Sequence, residues 1–367
     1  MTAGRVTEVG TVVIGGGQAG LAVGYHLRRR RPGEFVILDA GTEVGATWRQ
    51  RWDSLRLFTP AGFTHLPGMA FPAARASLPT KDAMADYLAD YARTFALPIE
   101  TAVRVEAVRR DGSDFLVAAA GSRRWSARDV VIATGAHATP VFPAFAGGLD
   151  PAIVQLHSRD YRRSSQLPAG AVLVVGAGNS GAEIAVDLAG GRPVWLAGRD
   201  VGHVPPLGGW TYPLMKLLGR PAAALAQRRL GGRAEPLGRI RPGDLAAAGV
   251  RRLPRVVGIR DGTPLLADGR MVEVSAVVWC TGLRPDHGFV HLPVRDSDGR
   301  LAHRRGVVTG QPGLYVVGLP NQSSITSHLV GGIGADARYV VDHLHHRAAR
   351  DRQGAPAKDQ VSGEVSR

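Results

Sequence analysis

The sequence predicts an α/β fold in which one strand–turn–helix–strand unit occurs twice, and three observations support this prediction. Residues 9–14 form an apolar, β-branched run of the kind found in buried parallel strands. A glycine-rich turn at residues 15–20 follows, and apolar residues at helical spacing then lead to a second apolar run at 35–38. The same order returns at residues 171–196. The repeat predicts two domains of one type.

The two glycine-rich turns share the spacing Gly-x-Gly-x-x-Gly, with Gly15, Gly17 and Gly20 in the first unit and Gly176, Gly178 and Gly181 in the second. In this motif the first glycine permits a tight turn, the second lets a pyrophosphate approach the backbone, and the third lets the helix pack on the strand. The phosphates then face free N–H groups at the positive end of the helix dipole. We therefore predict two dinucleotide-binding, Rossmann-like domains, with Ser180 as a further phosphate donor in the second.

The residue that ends the second strand of each unit indicates which cofactor that unit binds. Asp39 can accept hydrogen bonds from both ribose hydroxyls, which suits an adenosine with a free 2′-hydroxyl, as in FAD or NAD. Aligning residues 36–39 with 194–197 places Ala197 at the corresponding position, and Arg199 follows two residues later. An absent carboxylate and a nearby guanidinium suit the 2′-phosphate of NADPH. Two unlike dinucleotides in one chain indicate a bound flavin that the nicotinamide reduces, so we predict FAD in the first unit and NADPH in the second.

Two Thr-Gly strand ends, at Gly135 and Gly282, repeat the pattern after each unit, and we expect Gly135 to contact FAD. The second domain is predicted to be inserted into the first. The expected boundaries are 1–145 and 285–350 for the FAD-binding domain, 150–283 for the NADPH-binding domain, 203–243 for an excursion within it, and 351–367 for a disordered tail. The excursion is rich in proline and glycine, partly helical around residues 213–230, and expected to cover the cleft between the domains.

Composition excludes several classes of protein. The chain of 367 residues has a formal charge of +14, but its basic residues are spread out and its aromatic content of 6% is low for base stacking, so no nucleic-acid binding is predicted. The single cysteine, Cys280, rules out a dithiol within one chain and is interpreted as a small buried residue.

The pattern of apolar and titratable residues argues against membrane insertion and metal binding. No apolar stretch reaches the roughly 20 residues of a spanning helix, and no secretory pattern precedes the first strand, so a cytoplasmic location is expected. The 12 histidines show no convincing metal-ligand spacing, and His343, His345 and His346 are interpreted as one solvated helix face. The sequence makes no prediction about the oligomeric state.

Four further segments resemble flavin-containing monooxygenases. Residues 45–48 (Gly-Ala-Thr-Trp) resemble a segment of these enzymes and of Baeyer–Villiger monooxygenases, and residues 53–60 resemble the plant indole-pyruvate monooxygenases and their bacterial relatives. Residues 157–161 resemble the end of the monooxygenase identifying sequence, and residues 313–320 resemble the late FAD-binding segment. Together with the glycine motifs, the matches extend in the same order over nearly the whole chain.

Some positions depart from the family pattern. Pro151 and Ile153 stand where the identifying sequence has phenylalanine and glycine, and Phe58 stands where the animal enzymes have an asparagine. Tyr161 replaces the tryptophan that Baeyer–Villiger enzymes favour. The pattern is therefore most similar to the indole-pyruvate branch, and His157 and Tyr161 are expected to anchor the linker between the domains.

The resemblance implies a reaction and a set of site residues. NADPH reduces FAD, dioxygen adds to flavin C4a to give a peroxide or hydroperoxide, and one oxygen atom passes to a small organic substrate. Thr47 and Trp48 are expected to line the isoalloxazine, although Trp48 equally suits a core position. Gly318 is expected to bind FAD, and Asn321 and Gln322 to lie near the reactive flavin edge, with an ordinary polar loop as the alternative.

Two other functions remain open from the sequence. One is a flavoprotein that passes electrons from NADPH to a diffusible acceptor without oxygenation, and the other is a non-catalytic nucleotide sensor. The substrate also remains open between a 2-oxo acid, a sulfur or nitrogen nucleophile and a ketone.

Overall fold

Two β-sheets, each built around parallel strands, organise the computed structural model, which describes residues 6–203 and 236–354. The strands, in chain order, are β1 (Val6–Ile14), β2 (Phe35–Leu38), β3 (Ile99–Glu100), β4 (Val105–Asp111), β5 (Asp114–Ala119), β6 (Arg124–Ile132), β7 (Thr139–Pro140), β8 (Val154–His157), β9 (Val172–Val175), β10 (Val194–Ala197), β11 (Arg251–Leu253), β12 (Val256–Arg260), β13 (Thr263–Leu266), β14 (Ala276–Trp279), β15 (Leu283–Arg284), β16 (His303–Arg304), β17 (Val307–Val308) and β18 (Leu314–Val316). The α-helices within the described residues are α1 (Gln18–Arg30), α2 (Ala46–Arg49), α3 (Lys81–Thr94), α4 (Asn179–Ala189), α5 (Pro242–Ala247) and α6 (Ile333–Gly354).

The first sheet combines strands from both ends of the chain. Its order is β16-β17-β18-β6-β1-β2-β3, with the antiparallel pair β4–β5 extending from β6. The central strands β18, β6, β1, β2 and β3 are parallel. Helices α1 and α6 pack against each other, and buried residues on both faces of the sheet belong to two separate apolar clusters.

The second sheet is wholly parallel, with the order β11-β10-β9-β14-β8. All of its strands come from the stretch of chain between β6 and β16, so this unit is inserted into the first. Helix α4 connects β9 to β10, as α1 connects β1 to β2. The predicted fold class, two Rossmann-like units with one inserted into the other, is confirmed; the exact domain boundaries stay a prediction.

The chain crosses between the two sheets twice, along a short antiparallel ribbon of β7 and β15. The Val141 N–H donates to the Gly282 carbonyl at 3.1 Å, and the Thr281 hydroxyl donates to the Val141 carbonyl. The two segments that cross between the sheets are therefore hydrogen-bonded to each other at the junction between the units.

Two predicted segments fall at the limits of the description. The helix expected around residues 213–230 lies outside the described residues, although His203 and Leu237, on either side of the gap, are paired. The predicted tail starts too early, because α6 continues to Gly354 and residues 351–354 are helical. An ion pair of 2.8 Å joins Arg347 to Asp351, one turn apart, on this part of the helix. Residues 355–367 are outside the description.

The described residues contain no helix that is both long and apolar enough to cross a lipid bilayer. They also contain no group of three or more histidine, cysteine or acidic side chains placed to hold a metal ion.

The helix of each unit packs on its glycine turn so closely that no side chain fits between them. A Cβ on Gly20 would collide with the carbonyl oxygen of Gly15, and a Cβ on Gly181 would collide with that of Gly176. The third glycine of each motif therefore sets the position of the helix that follows it.

We predict that Gly20→Ala destabilises the cofactor-free protein by about 2 kcal/mol, because the helix must move away from the turn. The matched control is Gly243→Ala, another helical glycine, at which an added Cβ meets no atom of the described residues within 4 Å. Thermal or denaturant unfolding measures both variants. Equal stabilities for the two variants would contradict the packing argument.

Candidate functional site

The two glycine turns have nearly identical backbones. Gly15 and Gly176 have φ angles of 107° and 108°, in the region that favours glycine. Gly17 and Gly178, which precede α1 and α4, have φ/ψ angles of −77°/−172° and −79°/−170°. The turns are therefore two copies of one structure, at the carboxyl ends of β1 and β9.

Each glycine of the motif has a distinct environment. A Cβ on Gly15 would lie 2.6 Å from the carbonyl oxygen of Ala133, and one on Gly176 would overlap the carbonyl of Cys280, so each turn is pressed against the end of the neighbouring strand. At Gly17 and Gly178 a Cβ would meet no atom of the described residues within 4 Å. The second glycine of each turn thus borders open space, as the approach of a pyrophosphate requires.

The helix N-termini at these turns suit anions. The first turn of α1 and of α4 contains no acidic residue, and the glycine N-caps offer no side chain to the first N–H groups. Ser180 is half-buried in the first turn of α4. Asn179 instead holds the returning chain, since its side-chain oxygen accepts from Gly238 N at 2.8 Å and its amide nitrogen donates to Pro236 O at 3.4 Å.

Asp39 lies against the first glycine turn. One carboxylate oxygen accepts from the backbone N–H of Gly16, and the other accepts from the N–H of Gly41 at 2.7 Å. The hydroxyl of Thr134, just after β6, is buried and has no hydrogen-bond partner among the described residues. An open turn, a carboxylate and an unpaired hydroxyl at one strand edge fit the adenosine diphosphate part of FAD. Gly135 follows with a φ of 75° and no atom of the described residues within 4 Å of an added Cβ.

The alignment of the two units from sequence is wrong by one residue. The Gly15 N–H donates to Leu38 O at 2.8 Å, and the Gly176 N–H donates to Ala197 O at 2.8 Å. Ala197 is therefore the counterpart of Leu38, not of Asp39. The error arises because the apolar run at the end of a buried strand carries no mark of its register with the neighbouring strand.

Gly198 is the true counterpart of Asp39, and the two turns differ reciprocally at this point. The Asp39 side chain covers Gly16, where an added Cβ would lie 3.0 Å from the Asp39 Cβ. In the second unit a Cβ on Gly198 would lie 2.8 Å from the backbone nitrogen of Ala177. The position therefore excludes a carboxylate, as predicted, and the exposed Arg199 comes directly after it.

A second arginine lies at the same edge. Arg252 on β11 places one guanidinium nitrogen 3.4 Å from the carbonyl oxygens of both Gly198 and Arg199. Arg252 has no sequence signal, because β11 spans only Arg251–Leu253 and has no apolar run that marks a strand. Two guanidinium groups at this edge fit a 2′-phosphate.

Trp48 lies beside the first glycine turn, half-buried, with its indole N–H donating to the side-chain oxygen of Gln18 at 3.2 Å. Gln18 is the first residue of α1. Gly45, which precedes α2, has a φ of 91° and leaves no room for a side chain against Ala85 of α3. Helix α2 is thereby held on α3, with Thr47 exposed and Trp48 turned towards α1.

Asn321 and Gln322, which follow the segment 313–320, have different environments. Gln322 is buried, its oxygen accepts from Gly318 N at 3.1 Å, and its nitrogen donates to Val316 O at 3.1 Å. Both ends of this amide are engaged by backbone, which gives Gln322 a positioning role, and its place near the flavin edge stays a prediction. Asn321 is exposed with a φ of 56°, and Gly318, with a φ of 95°, lies close to Ala19 of α1.

His157 and Tyr161 are buried at the junction between the units. A His157 ring nitrogen lies 3.1 Å from Gly282 O, and the Tyr161 hydroxyl donates to Asp187 of α4 at 2.6 Å. These contacts tie the segment after β8 to the β7–β15 ribbon and to α4, in agreement with an anchoring role.

The lone thiol is not set up for redox chemistry. Loss of contact with water raises the pKa of the Cys280 thiol to about 12, although a hydrogen bond with Ser158 acts in the opposite direction. A thiol in this environment stays protonated and is a poor nucleophile at neutral pH.

Comparison with known proteins places this arrangement in a family. Residues 12–200 match a family model described as pyridine nucleotide-disulphide oxidoreductase. An oxidoreductase named CzcO-like from Geobacillus kaustophilus is 38% identical over 350 residues, which cover 92% of this chain and 99% of the relative. Indole-3-pyruvate monooxygenase YUCCA6 from Arabidopsis thaliana is 33% identical over 402 residues, covering 94% of this chain and 92% of the relative. The solved flavin-containing monooxygenase from Stenotrophomonas maltophilia has a TM-score of 0.76 and 29% identity, covering 94% of this chain and 100% of that one.

The fold and site define a two-dinucleotide flavoprotein. The chain belongs to the pyridine nucleotide-disulphide oxidoreductase family, within the group of flavin-dependent monooxygenases. The predicted resemblance, the enzyme class and the cofactors FAD and NADPH are thereby confirmed.

We predict that substitution of the second glycine of each turn affects the binding of one cofactor and not of the other. Gly17→Ala lowers the FAD content of the purified protein, whereas Gly178→Ala leaves it unchanged and raises the KM for NADPH about tenfold, because each new Cβ enters the space of one pyrophosphate. Flavin absorbance and steady-state kinetics measure the two effects. The assignment of the two turns fails if Gly178→Ala loses FAD and keeps its KM for NADPH.

We predict that Arg199→Ala reduces the preference for NADPH over NADH, measured as the ratio of kcat/KM values, about tenfold, because a charge-assisted contact with the 2′-phosphate is lost. Activity with NADH should change little. The exposed Arg260 on β12 provides a control of equal charge, and Arg260→Ala should keep the preference. An unaltered ratio in Arg199→Ala would show that this arginine does not contact the 2′-phosphate.

Proposed function

We propose that this enzyme uses NADPH and dioxygen to transfer one oxygen atom to a small organic substrate. Two equivalent glycine turns, one beside Asp39 and one beside Arg199, are joined through the β7–β15 ribbon and support a flavin and a phosphorylated nicotinamide in one active site. When bound, FAD accepts a hydride from NADPH and activates dioxygen. We place FAD on 1–145 with 285–350, and NADPH on 150–283.

The chain's own residues bind and orient these groups. The proposed FAD-binding residues are Gly15, Gly17, Gly20, Asp39, Thr47, Trp48, Gly135 and Gly318, and the proposed NADPH-binding residues are Gly176, Gly178, Ser180, Gly181 and Arg199. Trp48 shields the region beside α1 from water with its indole ring. Asn321 is proposed to hydrogen-bond at the flavin edge, with Gln322 holding its turn in place.

Oxygen transfer is favoured over disulfide reduction, although the family description names disulphides. Disulfide reduction by a flavoprotein needs a thiol pair or a reactive thiolate, and the single Cys280 is half-buried with a raised pKa. We therefore expect Cys280→Ala to keep both NADPH oxidation and oxygen transfer.

We further propose that the substrate is a small 2-oxo acid. YUCCA6, whose name states that it acts on indole-3-pyruvate, is 33% identical over 94% of this chain. The conserved order of motifs supports a related substrate, and oxygen transfer to a 2-oxo acid releases its carboxyl group as carbon dioxide.

The test is a reaction with isotopically labelled dioxygen and a panel of phenylpyruvate, indole-3-pyruvate, a thioether and a cyclic ketone. We predict that mass spectrometry finds one labelled oxygen atom per product molecule with the 2-oxo acids, and that Cys280→Ala gives the same product. Stoichiometric hydrogen peroxide without labelled product from any compound would favour electron transfer to a diffusible acceptor instead. Labelled product from the thioether or ketone alone would keep the monooxygenase and reject the substrate class.

A further inference from the structure

A group of arginines at the junction between the two units is not used by either nucleotide turn. Arg51 follows α2, and Arg159 and Arg162 follow β8; we call these three residues the junction arginines. The Asp53 N–H donates to Arg162 O at 2.9 Å, which joins the two segments directly. The group therefore lies where the FAD-binding unit meets the inserted unit.

Arg51 is half-buried, and its guanidinium makes no hydrogen bond or ion pair with any residue that the structure describes. Loss of contact with water lowers its pKa, and repulsion from Arg159 and Arg162 lowers it further. A partly dehydrated guanidinium with no counter-charge among the described residues carries an energetic cost. This energetic cost is relieved if an anion binds beside it.

The neighbouring arginines do not supply that counter-charge, and neither of them forms an ion pair with another of the described residues. The Arg159 guanidinium donates to the backbone carbonyl of Ala138, and that of Arg162 donates to the carbonyls of Arg159 at 2.7 Å and Tyr161 at 3.0 Å. Carbonyl groups position a guanidinium but leave its net charge unbalanced. Arg163, in contrast, pairs with Asp53 at 3.0 Å.

An exposed aromatic ring lies beside His157, close to the segment that carries Arg159. Phe142 is 49% exposed, and its ring centroid lies 5.3 Å from that of His157, the residue at the carboxyl end of β8. Arg159 N donates to His157 Nδ1 at 3.1 Å, so Phe142 and Arg159 both contact His157. An exposed apolar surface beside unbalanced positive charge suits a ligand that is aromatic at one end and anionic at the other.

We propose that Arg51, assisted by Arg159, binds the carboxylate of the substrate, and that Phe142 contacts its apolar part. This proposal rests on the proposed function, because it identifies the bound ligand as the substrate of the enzyme. The ligand class is a small aromatic carboxylate. The phosphates of both nucleotides already have the glycine turns and helix N-termini. The junction arginines lie at the carboxyl edge of the parallel strands, the side on which α/β sheets bind ligands.

The experiment is a calorimetric titration of the FAD-loaded protein with phenylacetate and with its uncharged analogue phenylacetamide. We expect phenylacetate to bind about tenfold more tightly to the natural protein, because only the carboxylate forms charge-assisted contacts. Arg51→Gln should remove this preference, and Arg51→Lys should keep part of it. Phe142→Ala should weaken both ligands alike.

Arg163→Gln is the matched control, because it removes an equal charge from the same junction, where Asp53 already balances it; this variant should keep the preference. Flavin content and an NADP⁺ titration, expected to be unchanged in Arg51→Gln, report on folding and on the nucleotide site. Equal binding of the two ligands to the natural protein would overturn the proposal. A loss of NADP⁺ affinity with the carboxylate preference intact would also overturn it, since the arginines would then serve a phosphate. Because the titration uses neither NADPH nor dioxygen, its result is independent of whether oxygen transfer occurs.

Discussion

The contact of each nucleotide-binding helix with its own glycine turn is the constraint on which the rest of this structure depends. Gly20 meets the carbonyl of Gly15, and Gly181 meets that of Gly176, at distances that admit no Cβ. This contact points the N-terminus of each helix over the edge of its sheet, where free N–H groups face open space. Two anion sites with the same geometry therefore arise from backbone packing alone, before any charged side chain contributes.

The difference between the two sites lies in one reciprocal exchange of side chains. In the first unit Gly16 has no side chain and Asp39 covers it; in the second, Ala177 has one and Gly198 does not. In each unit, the side chain at one of these two positions leaves no room for a side chain at the other. The first edge thus carries the Asp39 carboxylate, which suits a ribose, whereas the second has glycine at this position and is bordered by Arg199 and Arg252. The proposed assignment of FAD to the first turn and NADPH to the second rests on this steric exclusion.

The sequence predicted the buried strands, their helices and the insertion, because apolar runs and glycine spacing report local backbone requirements directly. It misplaced Ala197 by one residue, since register depends on hydrogen bonds to a neighbouring strand that sequence order does not record. The backbone contacts of Gln322 could not be predicted, because an amide near a late motif gives no sign that the backbone engages both its ends. Arg51 has no sequence signal among so many arginines; what distinguishes it is a half-buried position with no counter-charge among the described residues.

If the two turns bring a flavin and a phosphorylated nicotinamide into contact within one chain, hydride must pass directly between them. This transfer is measured by anaerobic mixing of the FAD-loaded protein with NADPH, and separately with NADPH deuterated at the transferred position. We expect flavin absorbance to bleach in a single-turnover phase that deuterium slows by about threefold, as a rate-limiting hydride transfer requires. An oxidised flavin that persists under saturating NADPH would contradict it.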